Sequence, residues 1–190
     1  FDGDPRVCLQ RIVDRMTAMG LTPCCAIELE FYLLDPKLPP MPNGMMSPVY
    51  RATSGPTPQN MYALEDLAEY RAVFSDIWDY GKQQGLPIDT MVSEAAPGQF
   101  EVNLKHRAEP MAAADDGVML RRLVVEVARK HGLKASFMAK PFMDVAGNGF
   151  HVHVSLLDAL GHNVFADPVT GEGKLKHCIG GLIDTMNAAT

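Results

Sequence analysis

The sequence contains few cysteines, and their spacing suits neither a disulfide framework nor a zinc site. Cys8, Cys24, Cys25 and Cys178 form no C-x-x-C pair, and Cys24 is directly followed by Cys25 beside an apolar strand pattern. Secreted disulfide scaffolds and structural zinc sites both depend on regularly spaced cysteines. We therefore predict reduced thiols in a cytoplasmic protein and set a zinc site aside.

Clusters of basic residues and long apolar runs are also missing. The 17 lysines and arginines are outnumbered by 23 acidic residues, which gives a net charge of −6. Nucleic-acid binding needs clustered Lys and Arg to neutralise phosphates, and a transmembrane helix needs roughly 20 consecutive apolar residues. We therefore expect no nucleic-acid partner and no membrane span, and no signal-peptide pattern is visible. An acidic balance of this kind suits cation binding.

The composition is that of an ordinary globular domain. Of the 190 residues, 47% are hydrophobic and 21% are charged, which is enough for one domain with a sizeable core. The chain begins at Phe1 without a Met, and a helical pattern is still running at Thr190. We expect the chain to be an internal piece of a longer protein.

Hydrophobic periodicity predicts alternating helices and strands. Helical spacing of apolar residues predicts amphipathic helices over residues 5–20, 64–85, 109–132 and 173–190. Alternating or short apolar runs predict strands over residues 25–34, 86–93, 101–105, 133–140 and 150–157. Residues 35–60, rich in Pro, Gly, Ser and Asn, are predicted to form a long loop. The predicted fold class is α/β or α+β, with helices covering one side of a sheet.

Two pairs of glutamates stand on or beside predicted strands. Glu94 and Glu101 flank a turn that contains Pro and Gly, and Glu28 and Glu30 share one face of the first strand because successive side chains alternate. Alternate acids on a strand often form only its solvated face. The strand around Glu28 and Glu30 is otherwise apolar, however, and like charges side by side repel unless a cation compensates them. We therefore favour a divalent metal site.

His151 and His153 have the same spacing and follow the turn Gly147-Asn148-Gly149, where the backbone can approach a ligand closely. Without such a turn, a histidine pair on a strand belongs to the core or the surface more often than to a ligand site. The turn alone is a weak phosphate-loop signal, since it lacks the length and Lys of a P-loop, and it is equally the sequence of a hairpin turn. An oxygen-rich site with one imidazole favours Mg²⁺ or Mn²⁺. The residues alone leave open whether the acidic and histidine faces meet.

Four segments, taken in order, resemble the catalytic domain of the glutamine synthetase superfamily. They span nearly the whole chain: Glu28-Leu29-Glu30-Phe31, Glu94-Ala95-Ala96-Pro97-Gly98-Gln99-Phe100-Glu101, Phe137-Met138-Ala139-Lys140-Pro141 and Gly147-Asn148-Gly149-Phe150-His151-Val152-His153-Val154-Ser155. The resemblance implies a curved, mostly antiparallel sheet that lines a funnel holding two divalent ions, with flanking helices, in subunits that form a homo-oligomeric double ring. Residues 1–190 would be the central part of this catalytic domain. An N-terminal β-grasp domain and the C-terminal part of the catalytic domain would lie outside the chain.

The resemblance also assigns metal ligands. Glu30, Glu94 and Glu101 correspond to the ligands of a first Mg²⁺ or Mn²⁺ ion, at the substrate-carboxylate end of the site. Glu28 and His151 correspond to ligands of a second ion, which neutralises the phosphates of ATP.

Three further positions correspond to substrate contacts. Gly147 matches a backbone contact to glutamate, His153 a nucleotide or substrate contact, and Ser155 a nucleotide contact. The family's third ligand of the second ion, its arginines for phosphate and glutamate, and the flap acid that deprotonates the amine all lie beyond Thr190. No catalytic residue is therefore assigned within the chain, and we expect the chain alone to be inactive.

The activity implied is an ATP-dependent ligase that joins the γ-carboxyl of glutamate to an amine through a γ-glutamyl phosphate. Ala146 and Asn148 replace an Asn and a Ser of the bacterial glutamine synthetases, and the spacing from Glu94 to Glu101 is shorter by one. These features resemble the branch that uses larger amines, including γ-glutamylpolyamine synthetases. The alternatives are glutamine synthetase proper, which uses ammonia, and a non-catalytic homologue that has kept the fold.

Overall fold

The computed structural model describes residues 2–50 and 61–189, with only the backbone for Ala189. The chain divides into two compact units. The sheet unit comprises Ala26–Lys105 and Ala113–Val152, and the terminal unit comprises Phe1–Cys25, His106–Ala112 and His153–Thr190. Among the described residues, no helix combines the length and apolar character that crossing a bilayer requires.

The helices of the described residues are α1 (Pro5–Ala18), α2 (Leu64–Glu69), α3 (Arg71–Gln83), α4 (Pro110–Lys130) and α5 (Gly171–Ala189). The strands are β1 (Thr22–Leu34), β2 (Ile88–Ser93), β3 (Gln99–Leu104), β4 (Lys134–Ser136) and β5 (Phe150–Leu157). At the start of α1 the Asp4 carboxylate accepts hydrogen bonds from the backbone N–H groups of Arg6 and Val7, at 2.9 and 3.2 Å. This satisfies donors that a helix start leaves without intrahelical partners.

The strands form one open sheet. β2, β3, β1 and β4 lie side by side in that order, and β5 also pairs with β1. The pairings of β1 with β3, β1 with β4 and β2 with β3 are all antiparallel. A mixed α/β fold with an open antiparallel sheet confirms the predicted fold class.

The main core of the sheet unit lies on one face of the sheet, against α3 and α4. Its buried side chains come from strands and helices alike and include Leu29, Phe31, Phe100, Val102, Ile77, Leu120 and Val124. Burying an apolar side chain of this size contributes roughly 1.5–3 kcal/mol. Because strand side chains alternate, packing one set of β1 and β3 residues into this core turns the intervening residues to the opposite face.

Two predicted elements differ from the structure. The helix predicted over residues 64–85 is two helices, because Tyr70 leaves helical geometry, packs edge-on against Phe100 and donates a hydrogen bond from its hydroxyl to the Tyr50 carbonyl. The strand predicted over residues 133–140 ends at Ser136, since the Asn148 side-chain amide donates to the carbonyls of Ser136 and Met138 there. A 3.6-residue period and an apolar run carry no information about these side-chain contacts.

The loop prediction over residues 35–60 is tested only in part. Residues 35–50 contain turns and a single isolated bridge, between Leu34 and Pro48, which agrees with a loop. Residues 51–60 lie outside the described residues.

Candidate metal centre

The floor of the candidate site is formed by β1 and β3, whose register places like-facing polar residues directly opposite one another. The opposed pairs are Glu28 with Asn103, Glu30 with Glu101, and Tyr32 with Gln99. The intervening pairs, Leu29 with Val102 and Phe31 with Phe100, belong to the main core. A slip of one residue would exchange the two faces, so the core packing fixes the position of the acids.

His151, on β5, lies against these acids. Its Nδ1 is 3.1 Å from Glu28 Oε2, 3.7 Å from Glu101 Oε2 and 3.9 Å from Glu30 Oε1. Glu28, Glu101 and His151 each offer a ligand atom within 4.8 Å of the others, and this is the one such trio of acid, histidine or cysteine side chains among the described residues. Carboxylate oxygens with one imidazole are a donor set that fits Mg²⁺ or Mn²⁺.

Glu94 reaches the site from the turn between β2 and β3. Its backbone N–H donates to the Gln99 carbonyl at 2.8 Å, which closes the turn. Gly98 in this turn has φ +73°, and a Cβ there would lie 2.6 Å from the Val49 carbonyl oxygen. The turn therefore requires glycine for both its backbone conformation and its packing.

A cavity of about 440 Å³ collects the predicted ligands. Its lining comprises Glu28, Glu30, Glu94, Glu101, His151, Asn103, Val92, Met61 and Tyr62. The structure thus brings together all five residues that the sequence proposed as metal ligands. In the structure, the ligand atom of Glu101 lies close to those of Glu28 and His151. The family resemblance instead assigns Glu101 to the same ion as Glu30 and Glu94.

The electrostatics of the cavity disfavour uncompensated negative charge. Burial raises the pKa of Glu94, and the charges of Glu30 and Glu101 raise it further. Burial also raises the pKa of Glu101, where the hydrogen bond from Asn103 opposes the shift and the charge of Glu28 adds to it. Both shifts express the cost of burying carboxylates and, after that, of holding them close together, and a bound cation would offset both costs.

Gly147 lies beside this cavity. Its carbonyl accepts a hydrogen bond from Gln99 Nε2 at 2.8 Å, and a Cβ at this position would come within 2.5 Å of the Ala139 carbonyl oxygen. The backbone at the predicted glutamate contact is therefore tightly packed and admits no side chain.

His153 and Ser155 belong to the terminal unit. His153 is exposed, and its ring packs edge-on to that of His106 with a centroid distance of 6.0 Å. Ser155 is half-buried. These observations describe the two residues within their own unit and leave their predicted nucleotide contacts as predictions.

The sequence analysis missed three residues that hold the site in shape. Gln99 bonds to Glu30 and Gly147, Tyr32 donates from its hydroxyl to the Ala146 carbonyl at 2.6 Å, and Asn148 ties its turn to β4. A signal was present for Tyr32 and Gln99, because each stands two residues from a proposed ligand on its strand and so shares that ligand's face. Asn148 carries no comparable signal, since its Nδ2 group donates to backbone carbonyls.

The chain is similar to proteins of one known family. Residues 2–190 match the model of the family described as glutamine synthetase, catalytic domain. The chain is 39% identical over 189 residues to gamma-glutamylputrescine synthetase PuuA of Escherichia coli (strain K12), covering 98% of this chain and 40% of that protein. It is 32% identical over 167 residues to a glutamate–isopropylamine ligase of a Pseudomonas species, covering 86% of this chain and 35% of that protein.

The fold comparison gives the same result. The chain matches the solved GmaS/ADP complex with a TM-score of 0.72 and 30% sequence identity, over 88% of this chain and 37% of that one. The chain thus spans about two fifths of the length of the relatives it matches. The family match over residues 2–190, together with this likeness in fold, shows that the chain belongs to the glutamine synthetase catalytic-domain family.

Proposed function

We propose that the protein to which this chain belongs is an ATP-dependent ligase that joins the γ-carboxyl of glutamate to an amine. The observation that carries the proposal is the single cavity lined by Glu28, Glu30, Glu94, Glu101 and His151, on a chain of the glutamine synthetase family. A family member that had kept only the fold would have no need to keep five ligand-type side chains together. This disfavours the non-catalytic alternative.

In this proposal Glu30, Glu94 and Glu101 hold one Mg²⁺ or Mn²⁺ ion, and Glu28 and His151 take part in holding a second. The donor set fits, because carboxylate oxygens and one imidazole converge and two of the carboxylates have raised pKa values. When bound, the ions supply positive charge that offsets the anionic triphosphate and glutamate and stabilises the phosphoryl group in transfer.

The reaction activates a carboxylate that is a poor electrophile. The γ-carboxylate of glutamate attacks the γ-phosphorus of ATP, which gives γ-glutamyl phosphate and ADP. The amine then attacks the acyl carbon, phosphate leaves, and the amine gives up a proton. The tightly packed backbone at Gly147 is proposed to contact glutamate, while His153 and Ser155 are proposed to contact the nucleotide or substrate. The residues that complete the site are proposed to come from the rest of the protein, with this chain as the central part of the catalytic domain.

A larger amine is the proposed acceptor. Beside the acids the mostly polar cavity is also lined by Met61, Tyr62 and Val92, and side chains of this kind can contact the alkyl part of an amine, which ammonium lacks. The two relatives named for their substrates, a gamma-glutamylputrescine synthetase and a glutamate–isopropylamine ligase, support the same acceptor class. Ammonia, as in glutamine synthetase, is the alternative acceptor.

A phosphate-release assay on the full-length protein tests the proposal. With ATP, glutamate and Mg²⁺ present, release should be faster with putrescine or isopropylamine than with ammonium at the same concentration. Preference for ammonium would identify a glutamine synthetase. Absence of glutamate-dependent release with all three acceptors would contradict the ligase proposal itself.

We further propose a cytoplasmic homo-oligomer of the double-ring type, which light scattering and electron microscopy of the full-length protein would test.

A further inference from the structure

Gln99 is a fully buried polar residue that contacts the cavity-lining Glu30, and 1% of its surface is exposed. Its Nε2 lies 3.0 Å from Glu30 Oε2, 2.8 Å from the Gly147 carbonyl oxygen and 3.3 Å from Asn148 Oδ1. One amide group therefore contacts a proposed metal ligand and the proposed glutamate-binding backbone at once.

The surrounding hydrogen bonds fix which way the Gln99 amide points. The Asn148 Nδ2 group donates to the carbonyls of Ser136 and Met138 at 3.1 and 2.9 Å, so Asn148 presents its oxygen to Gln99. The Glu30 carboxylate and the Gly147 carbonyl are acceptors as well. Because all three neighbours accept, the group facing them must be the NH₂ of Gln99, which is a donor only.

Glu30 is joined to the turn at residues 147–149 in two ways. Its backbone N–H donates to the Gly149 carbonyl at 3.2 Å, and its side chain reaches the Gly147 carbonyl through Gln99. Tyr32 holds the preceding residue, because its hydroxyl donates to the Ala146 carbonyl at 2.6 Å. The carboxylate of Glu30 and the carbonyl of Gly147 are thus held in a fixed relation by a side chain that is itself locked by burial.

The Oε1 atom of Gln99 makes no hydrogen bond to any described residue, although it is buried. An unpaired buried acceptor is destabilising, because it has lost its hydrogen bonds to water. The unpaired oxygen contributes nothing to the fold, so the interactions of this amide are those of its nitrogen with Glu30, Gly147 and Asn148.

We propose that Gln99 is the positioning residue that sets the Glu30 carboxylate against the Gly147 carbonyl, so that metal and glutamate bind in one geometry. The inference rests on the proposed function for the roles of Glu30 and Gly147. Gln99 itself is neither a metal ligand nor an acid or base. Outer partners that orient a metal ligand typically change metal affinity or activity by about 10–100-fold when removed.

The test uses the full-length protein with Gln99→Met, which keeps the length of the side chain and removes the donor, and Gln99→Asn, which keeps an amide but withdraws it from Glu30. Gln84→Met, at an exposed glutamine after α3, is the matched control. Mn²⁺ affinity and the electron paramagnetic resonance spectrum of bound Mn²⁺ are measured without substrates, and kcat and the KM values for glutamate and the amine are measured with them.

Both Gln99 variants should bind Mn²⁺ about 10–100-fold more weakly, with a changed Mn²⁺ spectrum and a raised KM for glutamate, while the KM for the amine stays unchanged. Gln84→Met should match the wild type in every readout. A purely structural role would lower the melting temperature alone, and wild-type Mn²⁺ binding and glutamate KM in either folded variant would overturn the proposal. If Gln99→Met does not fold, Gln99→Asn decides. The Mn²⁺ readouts need no turnover, so they judge Gln99 even if the ligase proposal fails.

Discussion

Glu30 and Glu101 lie directly opposite each other on the antiparallel strands β1 and β3, on the sheet face that points away from the main core. Directly opposed residues of an antiparallel pair have Cβ atoms about 4.5–5.5 Å apart, where like charges destabilise the pairing. The register cannot relieve this repulsion without turning the core residues outward. A cation between the carboxylates converts the repulsion into binding energy, and this is the physical basis of the first prediction.

Replacing the proposed ligands should abolish ligation by the full-length protein. Glu30→Gln and Glu94→Ala should each reduce glutamate-dependent phosphate release by at least about 100-fold, the loss typical for removing one charge-stabilising group. Glu65→Gln, an exposed acid in the first turn of α2, is the control and should retain normal activity. Near-normal turnover of Glu30→Gln at saturating Mg²⁺ would show that Glu30 is not a ligand.

Met61, which lines the cavity beside the acids, should influence the preference for the amine. Met61→Ala removes apolar contact area and should raise the KM for putrescine or isopropylamine roughly tenfold, the scale of a lost apolar contact in a binding pocket. Activity with ammonium should change little. Met119→Ala, at an exposed methionine on α4, is the control in the same assay. Equal losses with all acceptors would show that Met61 does not select among them.

The turn that carries Glu94 should be intolerant of any side chain at Gly98. Gly85 and Gly98 have nearly the same positive φ, +74° and +73°, but a Cβ at Gly85 meets open space, whereas at Gly98 it meets the Val49 backbone. Gly85→Ala should cost about 1–2 kcal/mol in free energy of unfolding, the cost of a left-handed backbone. Gly98→Ala should cost a further 1–3 kcal/mol or so from overpacking, as urea denaturation would measure. Equal costs at the two positions would contradict the packing argument.

Asp76 on α3 should stabilise the fold in a pH-dependent way. Its Oδ2 is 2.9 Å from Lys130 Nζ and 2.7 Å from His131 Nε2, and hydrogen bonds from Lys130 and then His131 lower the pKa of Asp76. A lowered carboxyl pKa gives stability that is present above the unfolded value of about 3.9 and is lost as the pH falls through the folded-state pKa. Asp76→Asn should therefore melt below the wild type at pH 7, with the difference vanishing near pH 2.

The control for this experiment is Asp79→Asn, an exposed aspartate on the same helix. This variant leaves the contacts of Asp76 with Lys130 and His131 in place, so it should not reproduce the deficit of Asp76→Asn. A constant deficit of Asp76→Asn from pH 7 to pH 2 would show that packing, rather than charge, accounts for its effect.

The sequence predicted the fold class and most elements because their signals are local. The alternation around Glu28 and Glu30 specifies which β1 residues face the core, and it places both acids on the other face. Local signals do not reveal which residues lie next to the acids in the folded chain. β3 lies beside β1, and Glu101 lies opposite Glu30. This arrangement depends on the register of two strands about 70 residues apart in the chain, which no local period encodes.

The residues that support the site were even harder to predict from the sequence. Gln99 and Asn148 act through hydrogen bonds to Glu30 and to backbone carbonyls of distant segments. Tyr70 breaks a continuous helical pattern through its packing on Phe100. Such contacts are tertiary, so they become visible only when the chain is folded. The family resemblance proposed the metal ligands but not the residues that hold them in place.

Another prediction concerns residues 1–190 produced alone. The chain covers 40% of the length of PuuA, and Mg²⁺ sites of this kind commonly rely on few carboxylates completed by water and substrate phosphates. We therefore expect weak Mn²⁺ binding in calorimetric titrations, little strengthened by ATP, and no glutamate-dependent phosphate release. Tight binding at two sites, or measurable release, would show that these residues complete the site by themselves.

The same chain should self-associate through α5. Apolar residues recur on this helix at helical spacing and are all exposed: Leu175, Ile179, Leu182, Ile183 and Met186. A contiguous apolar stripe of this kind favours association in water. Light scattering should therefore report oligomers whose size grows with concentration, and the double variant Leu182→Glu/Ile183→Glu should reduce them. Because α5 carries none of the proposed metal ligands, the variant should leave Mn²⁺ affinity unchanged, and a chain that stays monomeric without these substitutions would contradict the role given to the stripe.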